Sequence, residues 1–235
     1  MIGGPVLRRY EMYSISPDAS PADVRRLADA FRNCGRFIPE VLDSAIGTNL
    51  SDAPIRLVWE HAYASPEAYQ HYMVQPFHAC ILDRYLLADS PERIVTSNDF
   101  GAGLVGYACE SPVYRLAGGV RRLVLLDLAP DASPDDVVRL AGDIERDAPG
   151  IDGLRVSIVA ENTMASAWMD GVTPITGRPP WSHVWEQGWE DLPAFEAYRD
   201  GDSSLADAER RGWDGVAGNV VRRAASVHYK LLPAD

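Results

Sequence analysis

Apolar and polar positions recur along the chain in one repeating order. Leu7 to Ile15 reads as a strand and ends at a Pro-Asp-Ala-Ser-Pro turn. Ser20 then offers an N-cap with Pro21 at the first helical position. Val24, Leu27, Ala28 and Phe31 fall on one stripe, which predicts a helix over 21–34. Val41 to Gly47 is a second strand, with Gly47-Thr48-Asn49 read as the turn that ends it. Arg56 to Tyr63 is rich in β-forming residues. Ser65 caps a second helix through Tyr72, broken near Pro76 and resumed to about Leu87. A closing strand falls within 93–108. The same order returns at 120–128, 134–147, 153–160, 182–189, 192–212 and 219–231. Strand–helix–strand–strand–helix–strand, twice over, predicts antiparallel sheet with helices packed on one face.

The repetition extends to residue identity. SPDASPADVRRLA at 16–28 and APDASPDDVVRLA at 129–141 agree at ten of 13 positions, and Arg8-Arg9 falls on Arg121-Arg122 at the same offset of 113. Val58-Trp59-Glu60 matches Val184-Trp185-Glu186 at an offset of 126, as do Ala68 and Tyr72 with Ala194 and Tyr198. The second copy therefore carries 13 additional residues, placed within 155–182. Two repeats are too few for a solenoid. The expected architecture is α+β: two fused ferredoxin-like βαββαβ repeats, residues 1–112 and 113–235, forming an intrachain dimeric α/β barrel.

Composition narrows the function. The chain has 235 residues, 46% hydrophobic and 24% charged, as an ordinary globular protein does. Its formal net charge of −12 disfavours nucleic acid and anionic membranes as partners. No apolar run reaches the length of a membrane span, and the first residues carry no signal-peptide core. A cytoplasmic protein is expected. Cys34, Cys80 and Cys109 form no CxxC pair, which speaks against disulfides and a structural zinc site. No metal is expected: His61, His71, His78 and Glu60 lack the spacing of a ligand set. Gly101 to Gly106 reads as a linker or strand start rather than a dinucleotide loop. No Walker loop or GxSxG elbow occurs.

The segments GTNLSD (47–52), RLVWEHAYASPEAY (56–69) and YMVQPFHACILDRYL (72–86) resemble the Dabb family of stress-responsive dimeric α/β-barrel proteins. Members carry a Tyr-x-x-His-Pro-x-His motif after the third strand. Here Tyr72, Pro76 and His78 match it, and Gln75 departs from the first histidine. In polyketide-cyclising members, a Tyr and a His at the positions of Tyr72 and His78 form a polar pair that works without metal or cofactor. The resemblance implies a pocket between sheet and helices, a small-molecule substrate, and an intrachain pseudo-dimer able to pair again as a homodimer.

On that pattern Arg9, Glu11 and Tyr13 share one strand face, and Trp59 and His61 another. The second copy provides an internal comparison. Glu11 and Tyr13 become Val124 and Leu126, His61 becomes Gln187, and His78 becomes Ser204. The expected catalytic residues are thus His78, Tyr72 and His61, with Glu11, Tyr13, Arg9 and Trp59 binding substrate, in an active first half held by a structural second half. Histidine can move a proton near neutral pH, and a tyrosine hydroxyl can donate to a carbonyl oxygen as charge develops. The expected activity is that of a cofactor-independent lyase or cyclase on a small, largely apolar, carbonyl-bearing metabolite of polyketide type. Two alternatives stand beside it, a non-catalytic ligand-binding or stress-related barrel and a cofactor-free monooxygenase. Plainer roles compete residue by residue. His78 can be a satisfied helix-end histidine hydrogen-bonded to backbone, His61 can be a pocket wall, Glu11 can pair with Arg9, Tyr72 can serve packing in both copies, His71 can face solvent, and Trp181, Trp185 and Trp189 can fill the second core. The Pro-rich 174–181 stretch reads as a loop, with a lid over the first pocket as the bolder option.

Overall fold

The computed structural model of the chain describes residues 6–97, 105–109, 119–164, 181–211, 213 and 220–233. In the first half, β1 (Val6–Ile15) leads to α1 (Pro21–Asn33), then β2 (Val41–Asn49) and β3 (Leu57–Tyr63). Next come α2 (Pro66–Met73), a π-helical turn (His78–Leu82) that runs into α3 (Asp83–Leu86), and the strands β4 (Val95–Ser97) and β5 (Val105–Cys109). The second half has β6 (Val120–Leu128), α4 (Pro134–Asp147), β7 (Leu154–Glu161), β8 (His183–Trp189), α5 (Leu192–Asp200), α6 (Ser204–Arg210) and β9 (Val221–Leu231).

Helix starts follow local chemistry. Ser20, Ser65, Ser133, Asp191 and Ser203 each accept a backbone N–H from the first turn. At Ser133 the bond is reciprocated by Asp136, completing a capping box. Val24, Leu27, Ala28 and Phe31 are the buried face of α1, as their spacing requires.

All nine strands of the described residues join one antiparallel sheet in the order β4-β1-β3-β2-β9-β6-β8-β7, with β5 also paired to β1. Each half thus lays its strands in the same sequence: last, first, third, second. The halves meet where Gly47, Thr48 and Asn49 of β2 pair with Leu231, Lys230 and Tyr229 of β9. At the other extreme, Gly106 of β5 donates to the Asn162 side chain (3.0 Å) and accepts from Thr163 N (2.9 Å), just past β7.

β1 and β6 are buried on both faces. One face of each half packs on its own helices: Tyr13, Phe31, Trp59 and Tyr63 in the first, Val124, Trp185, Trp189 and Phe195 in the second. The opposite faces of both halves form a third cluster with Met12, Val58, Leu123, Leu125 and Val227. Into that apolar setting the sheet inserts four charges and three tyrosines. Arg8 Nη2 donates to Glu186 Oε1 at 3.0 Å and to the Tyr10 hydroxyl at 2.7 Å. Arg121 lies 3.3 Å from both Glu186 Oε1 and Glu60 Oε1. The Tyr10 and Tyr107 hydroxyls donate to Glu186 Oε2, and Tyr229 to Glu60 at 2.8 Å. Burial alone would raise the Glu186 carboxyl, but Arg8 and Arg121 hold it below the ordinary carboxylate range.

Several expectations are corrected. Gly47-Thr48-Asn49 is no turn but the end of β2, because its backbone finds partners on both β3 and β9. The single helix expected over 192–212 is two, separated at Gly201-Asp202-Ser203, where Ser203 caps the second. The closing strand of the first half is two short strands on β1. Trp181 packs in the third cluster rather than the second core, with the Arg223 guanidinium 4.0 Å from its ring centre. The inserted stretch lies largely outside the described residues, as does its suggested role as a lid. No helix among the described residues is long and apolar enough to cross a membrane.

Candidate active site

In the first half, β1 and β3 run side by side with Arg9 opposite His61 and Glu11 opposite Trp59. Period-two geometry points these four side chains, with Tyr13 and Tyr63, toward the helices. Glu11 is the hub. Its Oε1 takes Arg9 Nη2 at 2.8 Å and its Oε2 accepts the Tyr13 hydroxyl at 2.8 Å. His61 Nε2 stands 3.6 Å from Glu11 Oε1, and its Nδ1 is 2.6 Å from the Tyr63 hydroxyl. The imidazole stacks on Trp59 at 3.8 Å between ring centres. Burial, with Arg9 and His78 nearby, pushes the His61 imidazole well below its ordinary pKa, so the ring is neutral.

The helical layer brings the rest. Tyr72, on the buried face of α2, meets His61 edge-on at 6.2 Å and His78 edge-on at 4.5 Å. Burial raises the Tyr72 phenol well above its usual pKa, so it stays a hydroxyl donor. His78 opens the π-turn and is 7% exposed. Burial lowers its pKa, against the opposing pull of Asp83. Asp83 Oδ2 lies 3.7 Å from His78 Nδ1. Four buried nitrogens of this cluster have no hydrogen-bond partner among the described residues: Arg9 Nε and Nη1, His61 Nε2 and His78 Nδ1. Buried polar groups are ordinarily satisfied. Arg122 Nε and Gln187 Nε2 of the second half are unmatched in the same way.

The second half is more polar than its apolar substitutions at Val124 and Leu126 suggest. Arg122 forms a two-pronged pair with Glu209 of α6 (2.9 and 2.6 Å) and donates to Gln187 Oε1 at 3.0 Å. The Tyr198 hydroxyl donates to Glu209 at 3.0 Å. Glu209 corresponds to Asp83 at the offset of 126. Ser204 turns outward to Asp147 at 2.8 Å. His228 of β9 lies against Phe195 at 4.5 Å, beside Arg122 in the sheet.

All seven residues singled out from the sequence, Arg9, Glu11, Tyr13, Trp59, His61, Tyr72 and His78, are therefore buried and packed into one cluster. Glu11 does pair with Arg9, and His71 is exposed. Sequence reading missed Tyr63, Tyr69 and Asp83. The period-two spacing Trp59-His61-Tyr63 could have supplied Tyr63. Tyr69 lies beneath the Arg9 guanidinium at 4.5 Å. Among the described residues, no group of three or more His, Cys, Asp or Glu side chains gathers as a metal site would.

No protein-family model matches the chain, and no curated protein matches it in sequence. Solved structures do match in shape. An anthrone oxidase-like protein superposes with a TM-score of 0.63 at 13% identity, over 98% of this chain and 92% of that one. A candidate monooxygenase from Fusobacterium nucleatum gives 0.58 at 9% identity, covering 99% and 94%. A variant of chlorite dismutase from Candidatus Nitrospira defluvii gives 0.57 at 11% identity, covering 97% and 92%. At these identities the likeness is one of fold: an α+β chain of ferredoxin-like type, with antiparallel sheet and helices arranged as in α/β-barrel proteins.

Proposed function

We propose that the chain is a cofactor-independent acid–base enzyme, a lyase or cyclase of the Dabb type, built as two fused repeats (1–112 and 113–235) that pair within one chain. The substrate is a small, largely apolar, carbonyl-bearing metabolite bound between sheet and helices of the first half. What supports this reading is the gathering of Arg9, His61 and His78 around Glu11 and Tyr72 on the helical face of the first half.

Each group has a role in such chemistry. His78, neutral because buried, takes a proton from the carbon beside the substrate carbonyl. The electron pair moves to the carbonyl oxygen, where the Tyr72 hydroxyl and the free Arg9 N–H groups donate to the developing charge. His61, held neutral, orients the substrate, and the imidazolium of His78 returns the proton. Trp59 and Tyr13 supply flat apolar walls. In the second half Gln187 aligns with His61, and Ser204, aligned with His78, turns outward to Asp147, so neither histidine of this proton transfer is reproduced there.

A second reading is favoured by the names of two structural neighbours, an anthrone oxidase-like protein and a candidate monooxygenase. Cofactor-free oxygenation of a quinol-like substrate begins with the same proton abstraction and differs in consuming oxygen.

The test is hydrogen–deuterium exchange at the α-carbon of a medium-chain methyl ketone, whose uncatalysed exchange is slow, followed by NMR. The wild-type protein is expected to accelerate exchange, and His78→Gln to lose ~10²-fold of that acceleration. Tyr72→Phe is expected to lose a smaller factor. Rates at background for all three proteins would leave a barrel that binds without turnover. Oxygen uptake with a hydroxyanthracene-type quinol separates the second reading from the first.

A further inference from the structure

The segment carrying His78 departs from α-helical geometry at one place. From His78 to Leu82 the backbone makes a π-turn, in which Asp83 N–H bonds to the His78 carbonyl five residues back. Such turns are rare and add one residue to a helical circuit. Their effect here can be worked out. An α-helix advances ~100° per residue, so positions five apart would lie ~140° apart around the axis, on different faces. The π-turn brings the fifth residue back over the first. Its consequence is that Asp83 Oδ2 stands 3.7 Å from His78 Nδ1.

Two further observations bear on that juxtaposition. His78 Nδ1 is buried and has no hydrogen-bond partner among the described residues, so the nitrogen facing the carboxylate is the one left open. The second half keeps a carboxylate at the matching position, and there Glu209 is fully engaged by Arg122 at 2.6 Å. In the first half Glu11 has taken the matching arginine, Arg9, at 2.8 Å. Asp83 is thereby released from arginine and left beside a histidine.

We propose that Asp83 is the positioning residue for His78: it accepts a hydrogen bond from a proton on Nδ1, fixes the ring and stabilises the imidazolium formed when His78 removes a proton from substrate. This rests on the acid–base reading above. The C–H electron pair stays on the substrate as an enolate with its charge on oxygen, the proton goes to His78 Nε2, and the carboxylate facing Nδ1 balances the charge of the imidazolium. At 3.7 Å the bond is not formed in this state, and substrate closure would shorten it. The other groups facing the ring are the Met73 backbone carbonyl, which accepts a hydrogen bond from it, and Arg9, Glu11, His61 and Tyr72; of these Met73 and Glu11 favour the imidazolium and Arg9 opposes it.

The experiment is an NMR titration of the His78 imidazole in the full chain, for the wild type, Asp83→Asn and Asp83→Glu, with circular dichroism to confirm folding. Asp83→Asn is expected to lower the His78 midpoint by ~1 unit or more, the scale of one adjacent opposite charge, and Asp83→Glu to restore most of it. The ketone exchange rate should fall roughly 10-fold in Asp83→Asn and recover in Asp83→Glu. An unchanged midpoint in folded Asp83→Asn overturns the proposal, whatever the activity. A shifted midpoint in a protein without activity on any ketone or quinol supports the His78–Asp83 pair and removes the enzyme reading instead.

Discussion

Glu186→Gln is the sharpest perturbation of this molecule. The side chain is fully buried and keeps its shape, so the change removes the charge and turns one acceptor oxygen into a donor among donors. Glu186 faces Arg8 at 3.0 Å and Arg121 at 3.3 Å and accepts from the Tyr10 and Tyr107 hydroxyls. Without its charge, two guanidiniums share Glu60, and one positive charge is left uncompensated in an apolar interior. Breaking one member of a buried ionic set typically costs ~3–5 kcal/mol. That is a large share of the ~5–15 kcal/mol that holds a domain folded. With a urea m-value of ~2–3 kcal/mol per M, the unfolding midpoint should fall by roughly 1–2 M. Glu190→Gln is the control, since its pair with Arg155 is half-exposed on both sides and worth ~1 kcal/mol at most. Replacing Arg8 and Glu186 together by Met should cost less than either replacement alone, because both uncompensated charges vanish. A midpoint for Glu186→Gln within ~0.3 M of wild type would refute the reasoning, since ~1 kcal/mol or less is the signature of solvated charges.

Other outcomes follow from local geometry. A Cβ on Gly47 would sit 2.5 Å from the Tyr229 ring, so Gly47→Ala should destabilise by ~1–3 kcal/mol, whereas Gly142 in α4 has open space and Gly142→Ala should gain ~0.5–1 kcal/mol by thermal melts. His228 is pushed down to about 4 by burial, with Arg122 and Arg199 adding to it. The unfolded chain therefore binds this proton first: stability is full above the ordinary histidine pKa and is lost as pH falls from there toward 4. Half-exposure limits the loss to ~1 kcal/mol, and His228→Gln should flatten that limb of a pH–stability profile. Cys80 is exposed, while Cys34 is buried and its thiol is pushed up to about 12, so a thiol reagent should label Cys80 in the native protein and reach Cys34 only on unfolding.

The order of elements was legible because helix caps and apolar stripes are local signals: Ser20, Ser65 and Ser133 mark helix starts wherever the chain goes. Convergence of the site was legible through period-two spacing on β1 and β3 and through the contrast between copies. The central charges were visible only as repeated letters. In strands buried on both faces, adjacent arginines such as Arg8 and Arg9 give no alternation to show that one serves the sheet's shared interior and the other the helical side. Asp83 was hidden for a different reason. Helical periodicity sets it apart from His78, and only a backbone irregularity that no propensity encodes brings the two together. Glu209 was hidden likewise, since the break at Gly201–Ser203 sets the direction of α6.

The backbone ladder that joins β2 to β9 is short. Gly47, Thr48 and Asn49 face their three partners on β9, flanked by bonds from Leu232 N to Ile46 O and from Leu50 N to His228 O. Elsewhere, β6 and β9 are in register from Arg121 to Asp127. A short ladder opens before long ones do. Each half brings one arginine and one glutamate to the shared interior, Arg8 with Glu60 and Arg121 with Glu186, so an opened molecule presents two neutral, mutually complementary faces. Parting the seam therefore leaves no net charge on either face, and what it costs is the loss of the cross-seam pairs of Arg8 with Glu186 and of Arg121 with Glu60.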